Sequence, residues 1–333
     1  MCGIVGIYKS NSKNVSAEIY DALIQVQHRG QDASGISTWD KSKMFLHKNL
    51  GLVSEVFKRD SLLKLNGNIG IGHVRYPTAG CDDVIESQPF YTANPISMSL
   101  AHNGTLINSA QVKSRLIKTH FCQFNTDSDS EVLLNLISYE ISKIQFRKLS
   151  KIHVFKALEN VYKSISGGFA VVMIIAGVGI VAFRDQHGIR PIVLGKNNND
   201  YMFASESSAL TALGYKYLQD VKPGQATIID ENGNFSKKQI IKNKNHTPCL
   251  FEYVYFSRPD STIDSISFSD TKPPCTLFRL APFSINNISP LPKSCSAPIS
   301  FRIVLLSKRL ATLKLMRLGK LAFIVPVITS TLG

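Results

Sequence analysis

Between Thr271 and Gly333 the chain carries nine Lys and Arg residues, not one Asp or Glu, and seven of its 14 prolines. At the acid frequency of the preceding residues, a stretch of this length would hold about six carboxylates. Pro273, Pro274, Pro282, Pro290, Pro292 and Pro298 rule out regular structure up to about residue 300. Residues 301–325 could form a basic helix, but the apolar side chains would surround its axis instead of forming one stripe. The segment 269–333 is therefore expected to be an irregular, poorly ordered tail. A packed fold has to come from the residues before it.

The same break decides what the charge means. A net charge of +14 looks like a nucleic-acid signal. Residues 1–270, however, hold 29 basic and 24 acidic groups, a net of +5 that suits an ordinary soluble surface. No specific nucleic-acid partner is expected. No apolar run reaches the 18 or so residues of a membrane helix. The longest, Phe169 to Phe183, contains Gly177 and Gly179 and reads as two strands with a turn. The start Met1-Cys2-Gly3-Ile4-Val5-Gly6-Ile7 is too short for a signal core, and Lys9 follows it. A cytoplasmic protein without a membrane partner is the expectation. The six cysteines show neither Cys-x-x-Cys nor zinc spacing, so no metal site is expected among them.

Along the first 242 residues, short β-prone stretches alternate with turn signals. Strands are expected at 4–8, 35–39, 44–48, 69–74, 97–101, 169–175, 178–183, 191–195, 201–205 and 225–230, with a hairpin turn at Asn232-Gly233. Ser16 is placed to cap a helix with Ile19, Ala22, Leu23 and Val26 on its apolar face. Ser128-Asp129-Ser130-Glu131 has the form of a capping box, followed by a helix that buries Leu133, Leu134, Ile137 and Ile141. Another helix spans about 151–166. Residues 243–248 read as a linker and 249–256 as one more strand. Paired strands with few helices make the chain α+β, with antiparallel sheets covered by helices.

Cys2 has a chemistry its position makes possible. Removal of Met1 would give it a free α-amine, which titrates near 7.7–8.0 and can take the thiol proton within one residue. No histidine is then required, and His28, His73 and His102 read as structural hydrogen-bond residues. Position 2 alone also fits a small buried residue at the start of a strand.

The start of the chain, Gln27-His28-Arg29-Gly30-Gln31-Asp32-Ala33-Ser34-Gly35-Ile36, His73-Val74-Arg75-Tyr76-Pro77-Thr78-Ala79-Gly80 and Ala101-His102-Asn103-Gly104 together resemble the glutaminase domain of the amidophosphoribosyltransferases. Ser128 to Glu131, Phe183-Arg184-Asp185, Gly188-Ile189-Arg190-Pro191 and the stretch Phe251 to Ser261 continue the resemblance, to about residue 268. The Gln27–Asp32 and Phe251–Ser261 stretches favour this family over other class II glutamine amidotransferases.

The resemblance implies an N-terminal-nucleophile fold, a four-layer αββα sandwich. Its implied domains are glutaminase over 2–242, a linker and the start of a phosphoribosyltransferase domain over 243–268, and a non-family tail over 269–333. It makes Cys2 the nucleophile, and the Asn103 side chain with the Gly104 N–H the oxyanion hole. Arg75 would bind the glutamine carboxylate and Asp129 its ammonium group. Thr78 and Gly80 would lie in a loop over bound glutamine. Without the resemblance, Asn103-Gly104 reads as a plain turn, Arg75 as a surface ion pair and Asp129 as a first-turn charge.

The family continues with a phosphoribosyltransferase half that uses phosphoribosyl pyrophosphate and Mg²⁺ through an Asp-Asp…Gly-Thr-Thr pattern. Nothing after residue 270 matches it, and Asp82-Asp83 stands in the wrong context. The abrupt change is what a shifted reading frame would leave. The expected function is the glutamine-hydrolysing half of an enzyme that opens purine synthesis; the alternative is an inactive gene product with a non-specific basic tail. No cofactor is expected for the part present. Cys249 stands where some members hold an iron–sulfur cluster, but its partner cysteines would lie in the missing half, so no cluster is expected. The family's homo-oligomer is not expected to carry over.

Overall fold

The computed structural model describes residues 2–11, 13–76, 83–145, 147–242 and 245–267, and the backbone of three strands between 300 and 327. The chain divides into two units, Met1–Phe268 and Ser269–Gly333.

In chain order the first unit begins β1 (Gly3–Tyr8), α1 (Ser16–Gln25), β2 (Ala33–Trp39), β3 (Met44–Leu50), α2 (Val53–Val56), α3 (Arg59–Leu63) and β4 (Ile69–Arg75). It continues with β5 (Phe90–Thr92), β6 (Met98–Leu106), α4 (Ser109–His120), α5 (Asp129–Ser142), α6 (Lys151–Ser164), β7 (Gly167–Ile175) and β8 (Gly179–Arg184). Then come β9 (Val193–Asn197), β10 (Asp200–Ala204), α7 (Ser207–Ala212), β11 (Lys216–Asp220), β12 (Gln225–Asp230) and β13 (Phe235–Gln239). A short ribbon, β14 (Thr262–Ile263) with β15 (Ile266–Ser267), ends it.

One sheet has seven strands in the order β11-β9-β10-β1-β4-β2-β3, and the other six in the order β13-β12-β8-β7-β6-β5. Neighbouring strands are antiparallel in both. The sheets face each other through Ile4, Ile71, Ala101, Val172, Ile180 and Phe203. Helices α1 and α7 cover the outer face of the first sheet through Ile19, Leu23 and Leu210. Helices α4, α5 and α6 cover the second through Leu116, Leu133, Ile137 and Leu158. The result is the four-layer αββα sandwich.

This layering explains why β1 shows no polar alternation. Successive side chains of a strand point to opposite faces. Ile4 and Tyr8 face the other sheet, while Val5 and Ile7 face α1. Both faces are covered, so both must be apolar. Each such side chain contributes about 1.5–3 kcal/mol by leaving water.

Several local expectations are corrected. Ser16 is the first helical residue of α1 and not its cap; its hydroxyl donates to Leu62 O at 3.1 Å, and Asn14 Oδ1 receives the Ser16 N–H at 3.0 Å. Ser128 does cap α5, accepting from Ser130 N–H. Glu131 turns away from it to the N–H groups of Asn125 and Thr126, at 2.9 and 2.8 Å. His102, Asn103 and Gly104 lie within β6 and form no turn after it.

The stretch 249–256 is helical at Glu252–Phe256 rather than a strand. A strand would send Glu252 and Tyr253 to opposite faces. The helical turn buries both and leaves Val254 and Tyr255 exposed. In the second unit, β16 (Ser300–Val304), β17 (Leu310–Leu318) and β18 (Leu321–Val327) form an antiparallel sheet where the sequence allowed a basic helix. With apolar residues all round, a helix there has no single face to bury, whereas strands can pair their backbones. Pro326 falls on the edge strand, where the lack of an N–H is tolerated.

Candidate active site

Pairing of β1 with β4 sets Gly3 against Val74, which puts Cys2 level with Arg75 at the end of β4. From the other sheet, β6 brings up Asn103, held in register by its pairing with Ala170 of β7. The Cys2 N–H donates to Asn103 Oδ1 at 3.2 Å. Asn103 is fully buried, and with Oδ1 committed to Cys2 its Nδ2 has no hydrogen-bond partner among the described residues. Arg75 Nη1 is likewise buried with no acceptor among the described residues. Buried donors are nearly always paired, so two orphans on residues flanking one cysteine call for an explanation.

Gly104 follows Asn103 along β6. A Cβ there would lie 2.2 Å from Gly168 O and 2.7 Å from Phe169 Cα, so only glycine lets β7 come this close. Gly30 plays a similar part under β4, where a Cβ would meet the Arg75 backbone at 2.5 Å.

Asp129 opens α5. One of its oxygens accepts the Leu106 N–H at 2.8 Å, and the other lies 3.7 Å from His102 Nδ1. Burial drives His102 toward its neutral form, so that approach is no ion pair. Thr78 and Gly80 lie outside the described residues.

The Cys2 thiol is pushed up from its ordinary value by burial, against the opposing pull of the Tyr76 N–H and the charges of Arg75 and Arg29. It therefore rests as a thiol and needs a base to become a nucleophile. Of the three histidines, His28 Nε2 bonds Glu206 Oε1 at 2.9 Å and His102 Nδ1 bonds Ser130 Oγ at 2.9 Å. His73 makes no hydrogen bond of normal geometry among the described residues, and burial holds it at about 3.

A family model for the glutamine amidotransferase domain matches residues 73–212, spanning Arg75, Asn103, Gly104 and Asp129. The amidophosphoribosyltransferase of Pasteurella multocida is 48% identical over 272 residues, and that of Escherichia coli 49% over 273. Each match takes in 80% of this chain and 54% of the relative. The solved structure of glutamine phosphoribosylpyrophosphate amidotransferase from B. subtilis superposes with a TM-score of 0.70 at 34% identity, covering 80% of this chain and 55% of that one.

The N-terminal four fifths of the chain is similar to amidophosphoribosyltransferases, and residues 73–212 match a glutamine amidotransferase domain. The chain spans about half the length of the relatives it matches.

Within this glutamine amidotransferase domain the structure adds residues that the sequence gave no role. Gln88 fixes β6 beside the site, accepting the His102 N–H at 2.7 Å and donating to His102 O at 3.2 Å. Arg29 is wholly buried; its Nε donates to Cys2 O at 3.3 Å, and its Nη atoms donate to Glu206 and Glu252. A signal was present: Glu252 is a lone acid between the apolar Phe251 and Tyr253, a setting that requires a buried partner.

Among the described residues no group of three or more His, Cys, Asp or Glu is placed to hold a metal ion. Asp83, of the Asp82-Asp83 pair, accepts the Ile85 N–H at 3.0 Å and caps a short turn. Cys249 Sγ lies 3.8 Å from Arg190 Nη1.

Proposed function

We propose that this chain hydrolyses glutamine, as the ammonia-releasing half of an amidophosphoribosyltransferase. The observation that carries the reading is the meeting of Cys2 with Asn103, beside which Asn103 Nδ2 and Arg75 Nη1 are buried donors with no acceptor among the described residues.

With Met1 removed, the Cys2 α-amine takes the thiol proton and Sγ attacks the side-chain carbonyl carbon of glutamine. The oxyanion that forms accepts from Asn103 Nδ2 and the Gly104 N–H. Collapse returns the proton to the leaving nitrogen, ammonia departs, and a thioester remains on Cys2. Water then cleaves the thioester to glutamate and restores the thiol. Arg75 holds the substrate carboxylate and Asp129 its ammonium group, while Thr78 and Gly80 belong to the loop over it. In this reading residues 2–242 carry the glutaminase, 243–268 lead toward a phosphoribosyltransferase half, and 269–333 form a tail outside the family pattern.

Phosphoribosyl pyrophosphate, Mg²⁺ and formation of 5-phosphoribosylamine belong to that other half, and the cytoplasm is the compartment this chemistry suits. Glutamate and phosphoribosylamine release, measured side by side on the purified chain with and without Mg²⁺, test the reading. Glutamate release that disappears in Cys2→Ala, with no phosphoribosylamine, is expected. Mass spectrometry of the protein from cells should find Cys2 at the N-terminus. Glutamate release surviving Cys2→Ala would overturn the nucleophile, and phosphoribosylamine formation would overturn the division of labour.

A further inference from the structure

Three segments far apart in sequence meet in a buried charge cluster directly behind Cys2. Arg29 comes from the turn Gln27–Arg29 after α1, Glu206 from the junction of β10 and α7, and Glu252 from the helical turn beyond residue 242. None of the three side chains has any exposed surface. Arg29 Nη1 donates to Glu206 Oε1 at 2.5 Å, Arg29 Nη2 donates to Glu252 Oε2, and the remaining Nε donates to the Cys2 carbonyl at 3.3 Å.

Glu206 is over-determined. It also takes hydrogen bonds from His28, from the Arg258 N–H at 3.0 Å and from the Ser261 hydroxyl at 3.0 Å. Among the described residues the Glu252 carboxylate has one further partner besides Arg29, Arg190 Nη1 at 3.4 Å. The guanidinium fork is planar, so fixing its two Nη atoms fixes where Nε points. Nε points at the main chain of the cysteine whose N–H is tied to Asn103.

We infer that Glu252 is a positioning residue for the nucleophile, acting through Arg29 on the Cys2 main chain. The segment after residue 242, which the sequence reads as a linker and the start of another domain, thereby completes the glutaminase site. Three further contacts seat that segment on the same unit: Thr262 N–H to Ser207 Oγ at 2.6 Å, and Arg184 to both oxygens of Asp264 at 2.6 and 3.0 Å. Losing the carboxylate of Glu252 lets the fork swing toward Glu206, and the Cys2 carbonyl loses its donor. A reacting sulfur displaced by an ångström or less costs rate without weakening the grip of Arg75 and Asp129 on substrate. The activity arm of the test rests on the glutamine-hydrolysis reading; the labelling arm does not.

The experiment compares the full chain with Glu252→Gln, which keeps shape and loses charge. Iodoacetamide labelling of Cys2 is followed by peptide mass spectrometry, with Cys122 as internal control, and glutamate release is measured per folded molecule. Glu252→Gln should label several-fold faster at Cys2 and unchanged at Cys122. Its kcat should fall about 10–100-fold while KM for glutamine stays within about twofold. Unchanged Cys2 labelling, or a rise in KM with kcat intact, would overturn the inference, whatever the melting temperature does. If the wild-type chain releases no glutamate, the glutamine reading fails by itself and the Cys2-to-Cys122 labelling ratio still decides this one. If Glu252→Gln does not fold, Glu252→Asp carries the test with a smaller shift in that ratio, and no shift overturns it.

Discussion

Asn103 Oδ1 accepts the Cys2 N–H at 3.2 Å although 101 residues separate the two. The bond joins one sheet to the other, and it orients an amide whose Nδ2 has no hydrogen-bond partner among the described residues. In the proposed reaction Asn103 therefore uses two different atoms, and a single substitution can separate them.

Asn103→Asp keeps an oxygen for the Cys2 N–H and deletes the Nδ2 donor. Its kcat for glutamate release should fall about 10²–10³-fold, the usual cost of one oxyanion donor. KM and the thermal midpoint should move little. A kcat close to wild type would remove Nδ2 from the reaction.

Arg75→Lys retains the charge but cannot present two parallel N–H groups to a carboxylate. KM for glutamine should rise about 10–100-fold, the worth of a charge-assisted hydrogen bond, with kcat near wild type. The measurement is a glutamine titration of initial rates. A fall confined to kcat would mean that Arg75 acts on Cys2 instead of on substrate.

His73 gives the chain a pH dependence of known sign. Burial lowers it from 6.5 to about 3, so between those values the unfolded chain takes up a proton that the folded chain refuses. Stability is then complete above pH 6.5 and is lost as the pH falls toward 3. Urea unfolding of the wild type and of His73→Asn across this range should show a shallower decline for the variant. Parallel curves would place the acid sensitivity elsewhere.

Asp264→Ala leaves Arg184 buried without its bidentate partner. Removing one member of a buried pair costs about 3–5 kcal/mol. At this domain size that lowers the thermal midpoint by roughly 10 °C. Calorimetry showing almost no change would mean that the carbonyls of Gly188, Arg190 and Val221 suffice for Arg184.

Much of the sandwich was legible because short apolar runs and turn residues are local signals. Asn232-Gly233 turns between β12 and β13, and Gly177 and Gly179 part β7 from β8, where the chain itself says they should. The errors fell where a side chain answers to a distant partner. Residues 251–256 look like a strand because the strongest local signal is apolar and aromatic, yet Glu252 is drawn inward by Arg29 and the backbone winds to let it in. Glu131 has the right spacing for a capping box and spends its oxygens on the loop before the helix.

By itself, the sequence determined most of the strands, helices α1, α5 and α6, and the break near residue 270. These follow from composition and from neighbours a few positions away. Only the tertiary structure decided that Cys2 meets Asn103, that Asn103 Nδ2 and Arg75 Nη1 have no acceptor among the described residues, and that the segment after 242 reaches back to Cys2 through Arg29. Those contacts join residues up to 223 positions apart. Burial of charge selects them: in water each group would be satisfied by solvent, and only when the sheets close must Arg29 find Glu206 and Glu252.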